Sequence, residues 1–322
     1  MQVRLPPLTL KPRLALWTDG TVWTNWSRHE AYLRSLPNWK QHQIASVAEE
    51  SLRIISKTIP VGRPEFQCRG LVVGYVQSGK TANFTAVAAR AADVGYRLII
   101  VLSGIHDSLR NQTQRRLDLE LTDVGVYWIT LTDETSDFHE PPVADGFAST
   151  GTVLIVAKKI TPILRRLNQW FGKLEGRLAD VPVLVIDDEA DQASINTRGN
   201  RRDPSIDKDT PPDEDTAPSL TNALIRDILR KIPRATYIAY TATPFANILI
   251  DPDANDSQVG EDLFPKDFVV QLPRPHGYTG TEELFGTSAQ GRDVLRPVDP
   301  ADVKALKPKQ RALLHKASPL SW

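Results

Sequence analysis

Short apolar runs alternate with helical stretches along most of the chain, and this alternation predicts its fold. Six continuously apolar runs predict buried strands, because a strand covered on both faces has no polar side. They are residues 71–73, 97–102, 126–131, 153–157, 183–187 and 236–241. Helices are expected at residues 41–59, 81–92, 108–119, 161–174 and 220–232. Strand followed by helix, repeated, predicts an α/β fold with a mostly parallel sheet and helices on both faces.

Segments that lack this pattern divide the chain. Residues 1–40 hold paired prolines and several tryptophans, and they predict an irregular N-terminal extension. Residues 196–218 hold mixed charges and four prolines, so they predict a long mobile loop within a domain at residues 41–250. From residue 251 the periodicity fades, which indicates a Pro-rich C-terminal extension at residues 251–322 or the truncated start of a further domain.

Composition narrows the class of protein. Of the 322 residues, 41% are hydrophobic and 24% charged, which excludes a disordered or low-complexity chain. Basic and acidic residues number 39 each, so any contact with DNA must come from local patches. The single cysteine, Cys68, excludes an intrachain disulfide and a cysteine-based zinc cluster. With no apolar stretch near the ~18 residues of a membrane span and no signal-peptide core, we expect a cytoplasmic protein without a membrane partner.

Residues 74–81, GYVQSGKT, match the phosphate-binding pattern G-x-x-x-x-G-K-S/T between a predicted strand and a predicted helix. The main-chain N–H groups of such a loop wrap around phosphate oxygens, and the helix N-terminus adds a favourable dipole. Lys80 is expected to reach the β- and γ-phosphates, and the Thr81 hydroxyl to bind Mg²⁺. ATP and Mg²⁺ are therefore the expected cofactors. The expected nucleotide-binding residues are Gly74, Gln77, Ser78, Gly79, Lys80 and Thr81.

Acidic side chains follow the apolar run VLVI at residues 183–186; they are Asp187, Asp188, Glu189 and Asp191. Parallel α/β sheets bind ligands at the carboxyl ends of their strands, so these acids are expected beside the phosphate loop. One aspartate would hold Mg²⁺ through water, and Glu189 would orient the water that attacks the γ-phosphate. Asp187 and Asp188 are both candidates for the metal, and the Asp-Glu order favours Asp188. Glu189, Asp188 and Lys80 are thus the expected catalytic residues; the alternative is an exposed acidic turn.

A nuclease centre has no support in these residues. No D/E-x-K sequence follows on a buried strand after Pro252 and Asp253, which lie in a polar stretch. The six histidines show no metal-ligand spacing. Each histidine is therefore expected at the surface or in a hydrogen bond.

Thr241, Ala242 and Thr243 leave the last predicted strand of the domain. Taken singly such a step is weak, because small hydroxyl residues often end strands by bonding to their own backbone. However, the order GKT, DEAD, TAT resembles superfamily-two helicases, in which the third element links the nucleotide site to the nucleic-acid groove. This resemblance implies a RecA-like P-loop NTPase fold and a coupling role for these three residues.

Longer segments narrow the resemblance. They lie between residues 70 and 286 and read GYVQSGKTANF, YRLIIVLSGIHDSLRNQTQRRL, DDEADQASINT, YTATPFANILIDP and LFPKDFVVQLPRPHGYTGTEELFG. Together they are similar to the Z-one domain family, bacterial proteins described as endonucleases or helicase-like ATPases of anti-phage and restriction-like systems. The resemblance implies that His106, Arg110 and Gln112 face a bound DNA strand.

The sequence also departs from that family. Its members are usually longer and carry a second RecA-like half, whose arginine finger completes the ATP site. This sequence reaches Trp322 before such a half, so truncation or a frameshift is one explanation. An arginine supplied across the cleft changes phosphoryl-transfer rates by about 10³–10⁵-fold, so the chain alone is expected to bind ATP and hydrolyse it weakly. A separately encoded second half or other defence-system subunits are the expected partners besides DNA.

Three functions remain open from the sequence. The first is a helicase-like Mg·ATP-binding domain of a DNA-processing protein, in a restriction-like or anti-phage system. The second is a nucleotide-dependent switch or assembly subunit that binds proteins and does not track along DNA. The third is an endonuclease with unrecognised catalytic residues. DNA-stimulated ATP hydrolysis separates the first two, and metal-dependent nicking tests the third.

Overall fold

The computed structural model describes residues 17–75, 79–141, 151–174, 176–192, 194, 217–250, 255–256, 260–275, 277–278 and 280. The chain separates into two compact units, Met1–Pro273 and Arg274–Trp322. In the second unit the Tyr278 main-chain N–H donates to the Pro275 carbonyl at 3.0 Å, and the Arg274 guanidinium lies 5.7 Å from the centroid of the Tyr278 ring. All elements described below belong to the first unit.

A seven-stranded sheet, parallel in every pairing, forms the centre of the first unit. Its strands are β1 (Phe66–Val73), β2 (Leu98–Ser103), β3 (Trp128–Thr130), β4 (Thr152–Lys158), β5 (Val183–Asp188), β6 (Arg234–Thr241) and β9 (Phe268–Gln271); two short strands, β7 (Asn255–Asp256) and β8 (Gly260–Glu261), lie outside it. The order across the sheet is β3-β4-β2-β5-β6-β1-β9, and β7 and β8 form a separate antiparallel pair. All six predicted strands are confirmed.

Helices cover both faces of the sheet, each face over its own apolar cluster. They are α1 (Thr24–Ser35), α2 (Gln41–Ile55), α3 (Lys80–Asp93), α4 (Asp107–Leu117), α5 (Thr161–Lys173), α6 (Ala217–Arg230) and α7 (Phe245–Ile248), with a π-helical turn at Asp118–Thr122. Residues of α2 and α3 pack on the face that carries Leu184 and Ile186, and residues of α5 and α6 pack on the face that carries Val183 and Val185. Successive side chains of a strand point to opposite faces, so β5 contributes to both clusters. The five predicted helices and the α/β fold are confirmed.

The N-terminal extension is not irregular throughout, because α1 lies within it. The Asp93 carboxylate on α3 accepts hydrogen bonds from the main-chain N–H groups of Asn25, at 2.8 Å, and Trp26, at 2.9 Å. These are orphan donors in the first turn of α1. The Arg90 guanidinium lies 4.6 Å from the Trp23 ring centroid and 4.3 Å from that of Trp26, a cation–π contact with each ring. Contacts with α3 therefore hold a helix that its own sequence does not predict.

The sheet also continues beyond the expected domain boundary at residue 250. β9 pairs with β1 in parallel, from Gly70 opposite Phe268 to Val73 opposite Gln271. Gly70 permits this pairing, because a Cβ at residue 70 would lie 2.1 Å from Cζ of the Phe268 ring. The domain therefore extends through β9. The expected boundary at residue 250 is wrong, because β9 lies within residues 251–322 and belongs to the sheet of the domain.

Two further expectations concern regions that the structure describes only in part. Residues 195–216, which include nearly all of the expected mobile loop, lie outside the described residues, and residues 217–218 begin α6. Among the described residues, no helix combines the length and apolarity needed to cross a bilayer.

Candidate functional site

The candidate residues follow four neighbouring strands at the carboxyl edge of the sheet. In the order β2-β5-β6-β1, β5 carries the acids, β6 leads into Thr241–Thr243, and β1 leads into the phosphate-loop motif. The Gly74 N–H donates to the Thr241 carbonyl at 2.9 Å, which joins the exits of β1 and β6. The three sequence motifs therefore meet at one edge, where parallel α/β sheets bind ligands.

The end of the phosphate-loop motif has the backbone that its pattern requires. Gly79 is the N-cap of α3 and has φ 88°, a left-handed conformation that glycine adopts without steric cost. Lys80 is the first residue of the helix, and its Nζ donates to the Tyr75 carbonyl at 3.3 Å. Two of the expected phosphate-binding residues, Gln77 and Ser78, lie outside the described residues. The described part places the Lys80 ammonium back over the start of the loop, at a helix N-terminus.

Helix α3 is fixed to β6 by a buried hydrogen bond. The Tyr240 hydroxyl donates to Oδ1 of Asn83 at 2.9 Å, and both side chains are buried. Two residues before Asn83, the half-buried Thr81 carries the expected Mg²⁺-binding hydroxyl, and its carbonyl accepts a hydrogen bond from Thr85 Oγ1 at 2.8 Å. Asn83 belongs to the segment GYVQSGKTANF, and its side chain holds helix α3 against β6.

The two adjacent aspartates of β5 point to opposite faces, because successive side chains of a strand alternate. Asp187 is fully buried; its Oδ2 accepts a hydrogen bond from the Tyr237 hydroxyl at 2.6 Å, and its Oδ1 lies 2.8 Å from Lys159 Nζ. The expectation that Asp187 is a candidate metal ligand is therefore wrong for this conformation, because its carboxylate is enclosed and occupied by protein groups. Asp188 is partly exposed, and it remains the metal candidate.

Asp188 lies on the same side of the sheet as the start of α3. Its charge raises the pKa of Tyr240, after the larger effect of burial, and Tyr240 contacts Asn83 on that helix. Burial, and to a smaller extent the nearby Glu189 carboxylate, raise the pKa of Asp188, and the Lys159 and Lys80 ammonium groups lower it; the net result is a pKa of about 6. Lys80 thus acts on Asp188 through space. A carboxylate in this environment favours an additional cation beside it.

Glu189 stands in a strained conformation directly after β5. Its φ is 52°, and among the described residues Tyr127 is the other non-glycine residue with positive φ. Such a conformation costs about 1–3 kcal/mol and persists when surrounding contacts impose it. A Cβ built on Gly104, at the exit of β2, would lie 3.7 Å from Glu189 Oε2. The Glu189 carboxylate therefore reaches across the end of β2 beside a residue without a side chain.

Asp191 joins the acidic segment to the Thr-Ala-Thr segment. Its Oδ1 accepts a hydrogen bond from the buried Thr241 hydroxyl, and its Oδ2 accepts one from the exposed Thr243 hydroxyl, both at 2.6 Å. Burial raises the pKa of Asp191, but the two hydroxyl donors and Lys159 outweigh it, so the pKa is lowered. Ala242 lies between the two threonines and is half-buried. The coupling role of residues 241–243 stays a prediction, but the side chains that would perform it are hydrogen-bonded to the acidic segment.

The three residues expected to face DNA differ in their surroundings. His106, the N-cap of α4, and Gln112, in the middle of that helix, are both exposed. Arg110 is 1% exposed, and its guanidinium donates to the carbonyls of Val156 at 3.1 Å and Ser136 at 2.7 Å, and also to that of Asp133. The expectation that Arg110 contacts DNA is therefore wrong for this conformation, because its donors hold buried carbonyl groups.

Lys159 is the site residue that sequence reasoning missed. Its side chain is fully buried, and Nζ donates to the main-chain carbonyls of Asp188 at 2.6 Å and Glu189 at 2.8 Å, besides pairing with Asp187. In the sequence, Lys158 and Lys159 have the pattern of two exposed basic residues at the end of a strand. A signal was nonetheless present, since a buried aspartate such as Asp187 requires a cationic or hydrogen-bonding partner.

The described residues contain no group of three or more His, Cys, Asp or Glu side chains arranged to hold a metal ion. A Mg²⁺ site of the phosphate-loop kind does not need such a group, because it uses one hydroxyl, one carboxylate and phosphate oxygens. Thr81 and Asp188 fit that description. Both are half-buried at the same edge.

Comparisons with known proteins yield distant structural similarities. No family model matches the chain, and no curated protein matches it. The chain is 12% identical to C. elegans PCH-2, with 78% of this chain and 42% of that chain covered and a TM-score of 0.24. It is 13% identical to a chain of the E. coli MS115-1 HORMA:CdnC:Trip13 complex, with 91% and 87% covered and a TM-score of 0.26. The chain thus spans less than half of the PCH-2 chain, and similarities this low assign neither a ligand nor an activity.

Proposed function

We propose that this chain is a Mg·ATP-binding, helicase-like P-loop ATPase domain of a DNA-processing protein. One observation carries the proposal. Lys80 begins α3 directly after the left-handed Gly79, and Asp188 is turned to the same side of the sheet, within range of the Lys80 charge. A cation at a helix N-terminus and a carboxylate on the same side of the sheet are the groups that a triphosphate with Mg²⁺ requires.

The residues of this edge have separate tasks in the proposed reaction. Lys80 and the N–H groups at the start of α3 would hold the β- and γ-phosphates, and Thr81 and Asp188 would hold Mg²⁺, which neutralises charge on the phosphates. The Glu189 carboxylate would orient the attacking water. Asp191 would transmit a movement of the neighbouring Asp188–Glu189 turn to Thr241 and Thr243, because its carboxylate accepts hydrogen bonds from both hydroxyl groups.

DNA is the proposed partner because exposed polar side chains follow β2 on the same edge. His106 and Gln112 supply these groups, and Arg110 does not. The order of the motifs supports a RecA-like fold of the Z-one type and a place in a restriction-like or anti-phage system. The proposal includes a second RecA-like half as a partner, since an arginine supplied across the cleft raises such rates by about 10³–10⁵-fold.

A nucleotide-dependent assembly subunit is the second candidate, and a specific observation favours it. Directly after Thr243, the side chains of Phe245 and Leu249 are 76% and 80% exposed, and Ile248 is 48% exposed. Neighbouring exposed apolar residues are typical of a surface that another protein covers. In this candidate the same ATP site would control binding of a protein, and DNA would have no role.

ATP hydrolysis measured with and without DNA distinguishes the two candidates. The wild-type chain and Lys80→Ala are assayed with Mg²⁺, first alone and then with single- or double-stranded DNA. We expect weak hydrolysis that DNA increases several-fold and that Lys80→Ala abolishes. Hydrolysis that depends on Lys80 but does not respond to any DNA would favour the assembly subunit. Hydrolysis equal in the two chains would contradict both candidates.

A further inference from the structure

Lys159 contacts three consecutive residues at the end of β5. The ammonium group lies 2.8 Å from Oδ1 of Asp187 and donates to the carbonyls of Asp188 and Glu189 at 2.6 Å and 2.8 Å. The Lys159 and Asp187 side chains are both 0% exposed. The Lys159 ammonium group thus makes one ion pair and two hydrogen bonds to main-chain carbonyls.

Charge compensation alone does not require this arrangement. A buried carboxylate needs an opposite charge, and the contact with Asp187 supplies it. The two remaining contacts go to main-chain carbonyls on either side of the Glu189 Cα atom. They fix the two peptide units that flank Glu189, which has φ 52°. A glutamate keeps such a conformation only where its surroundings determine it.

The position of the Glu189 carboxylate follows from this turn. Rotating the backbone of Glu189 to an ordinary negative φ would swing its side chain away from Gly104 and from the exit of β2. The same rotation would move Asp191, which follows two residues later and holds the Thr241 and Thr243 hydroxyls.

We propose that Lys159 is a positioning residue, which holds the Asp188–Glu189 turn so that both carboxylates face the nucleotide site. This inference rests on the proposed function for its effect on hydrolysis, but the conformation of the turn is independent of it. The competing explanation is that Lys159 only neutralises Asp187. The two explanations differ when the charge of Asp187 is removed together with that of Lys159.

The test compares two double variants. Lys159→Met/Asp187→Asn removes both charges, keeps an acceptor for the Tyr237 hydroxyl and leaves the carbonyls of Asp188 and Glu189 without a donor. Lys159→Gln/Asp187→Asn is also uncharged, but the glutamine amide can still donate to a carbonyl. Lys173→Met/Glu140→Gln is the matched control, because it removes an ion pair whose side chains are 63% and 38% exposed.

The measurements are ATP turnover, ATP affinity and amide hydrogen exchange of the peptide that covers residues 187–192. For the methionine variant we expect turnover at least tenfold lower than wild type, a smaller loss of ATP affinity, and faster exchange in this peptide with unchanged exchange in β2 and β4. The glutamine variant should recover part of both turnover and protection. The control should match wild type.

Wild-type turnover and protection in the methionine variant would overturn the proposal, and so would equal losses in the methionine and glutamine variants. If the wild-type chain binds no ATP, the proposed function fails, and hydrogen exchange alone then decides the inference. Faster exchange at residues 187–192 in the methionine variant would support it, and unchanged exchange would overturn it. If the methionine variant does not fold, the glutamine variant is compared with the Lys173→Met/Glu140→Gln control instead. Slower ATP turnover or faster exchange at residues 187–192 than in the control would support positioning. The same turnover and exchange as in the control would overturn it.

Discussion

Replacing Asp191 with alanine removes the acceptor shared by Thr241 and Thr243, and the structure predicts that the two threonines do not contribute equally. Both hydroxyls lie 2.6 Å from the carboxylate. Thr241 is fully buried, however, so its hydroxyl would be left without water. Thr243 is exposed, so water can replace its bond.

The expected magnitudes follow from that difference in burial. A hydrogen bond to a charged group contributes about 1.5–3 kcal/mol, and an unsatisfied buried hydroxyl costs about 1–3 kcal/mol. We therefore expect Asp191→Ala to lower the free energy of unfolding by about 2–3 kcal/mol at neutral pH. Thr241→Val, which keeps the shape of the side chain, should account for most of this loss, and Thr243→Val for less than about 1 kcal/mol.

These values are measured by urea unfolding, monitored by circular dichroism. The chains compared with wild type are the three single variants and the Asp191/Thr241 double variant. The pKa of Asp191 is lowered in the folded chain, so its contribution is present above its unfolded value of 3.8 and is lost as the pH falls through the lower folded value. The difference between wild type and Asp191→Ala should therefore be constant from pH 7.5 to pH 5 and shrink below pH 3.8. Equal losses for Thr241→Val and Thr243→Val, or additivity in the double variant, would refute the reasoning.

Two further predictions concern Glu189 and Arg110. Glu189→Gln should keep ATP affinity and lose turnover. Glu189→Gly should also lose turnover, but its free energy of unfolding should rise by about 1 kcal/mol, because glycine accepts a φ of 52°. A stability of Glu189→Gly equal to or below that of wild type would show that the turn is not strained. Arg110→Met should lower the free energy of unfolding by more than about 3 kcal/mol, because it leaves buried carbonyls without donors. The control Gln112→Ala should lower it by less than about 0.5 kcal/mol. A stable Arg110→Met chain with weakened DNA binding would restore Arg110 as a DNA contact.

The sheet and the meeting of the motifs could be predicted from the sequence because they depend on local patterns. Buried parallel strands are apolar runs, and the order of strands and helices places every motif at a strand end. The alternation of side chains along a strand also separates Asp187 from Asp188. These features need no knowledge of distant contacts.

Other features depend on contacts between residues far apart in the chain. The cap of α1 is supplied by Asp93, which is 68 residues from Asn25, and β9 joins a strand that begins some two hundred residues earlier. The partners of Lys159 at β5 are likewise set by the fold. Arg110 is different, because it precedes Gln114 by four residues and Leu117 by seven, and both are buried. That spacing indicates the buried face of α4, whereas the expected contact of Arg110 with DNA came from the family resemblance.

Calorimetric titration of ATP with Mg²⁺ into the folded chain tests the central claim most directly. Lys80→Ala is compared with wild type, and Lys173→Ala serves as the control, because Lys173 is an exposed lysine on α5. Lys80 makes charge-assisted contacts with phosphate in the proposed complex, and such contacts contribute about 1.5–3 kcal/mol, which corresponds to a roughly 10- to 150-fold change in Kd. The account predicts saturable binding to wild type and Lys173→Ala, and binding weakened by at least tenfold in Lys80→Ala with unchanged stability. Absence of heat with the wild-type chain, or equal affinity for Lys80→Ala, would contradict it.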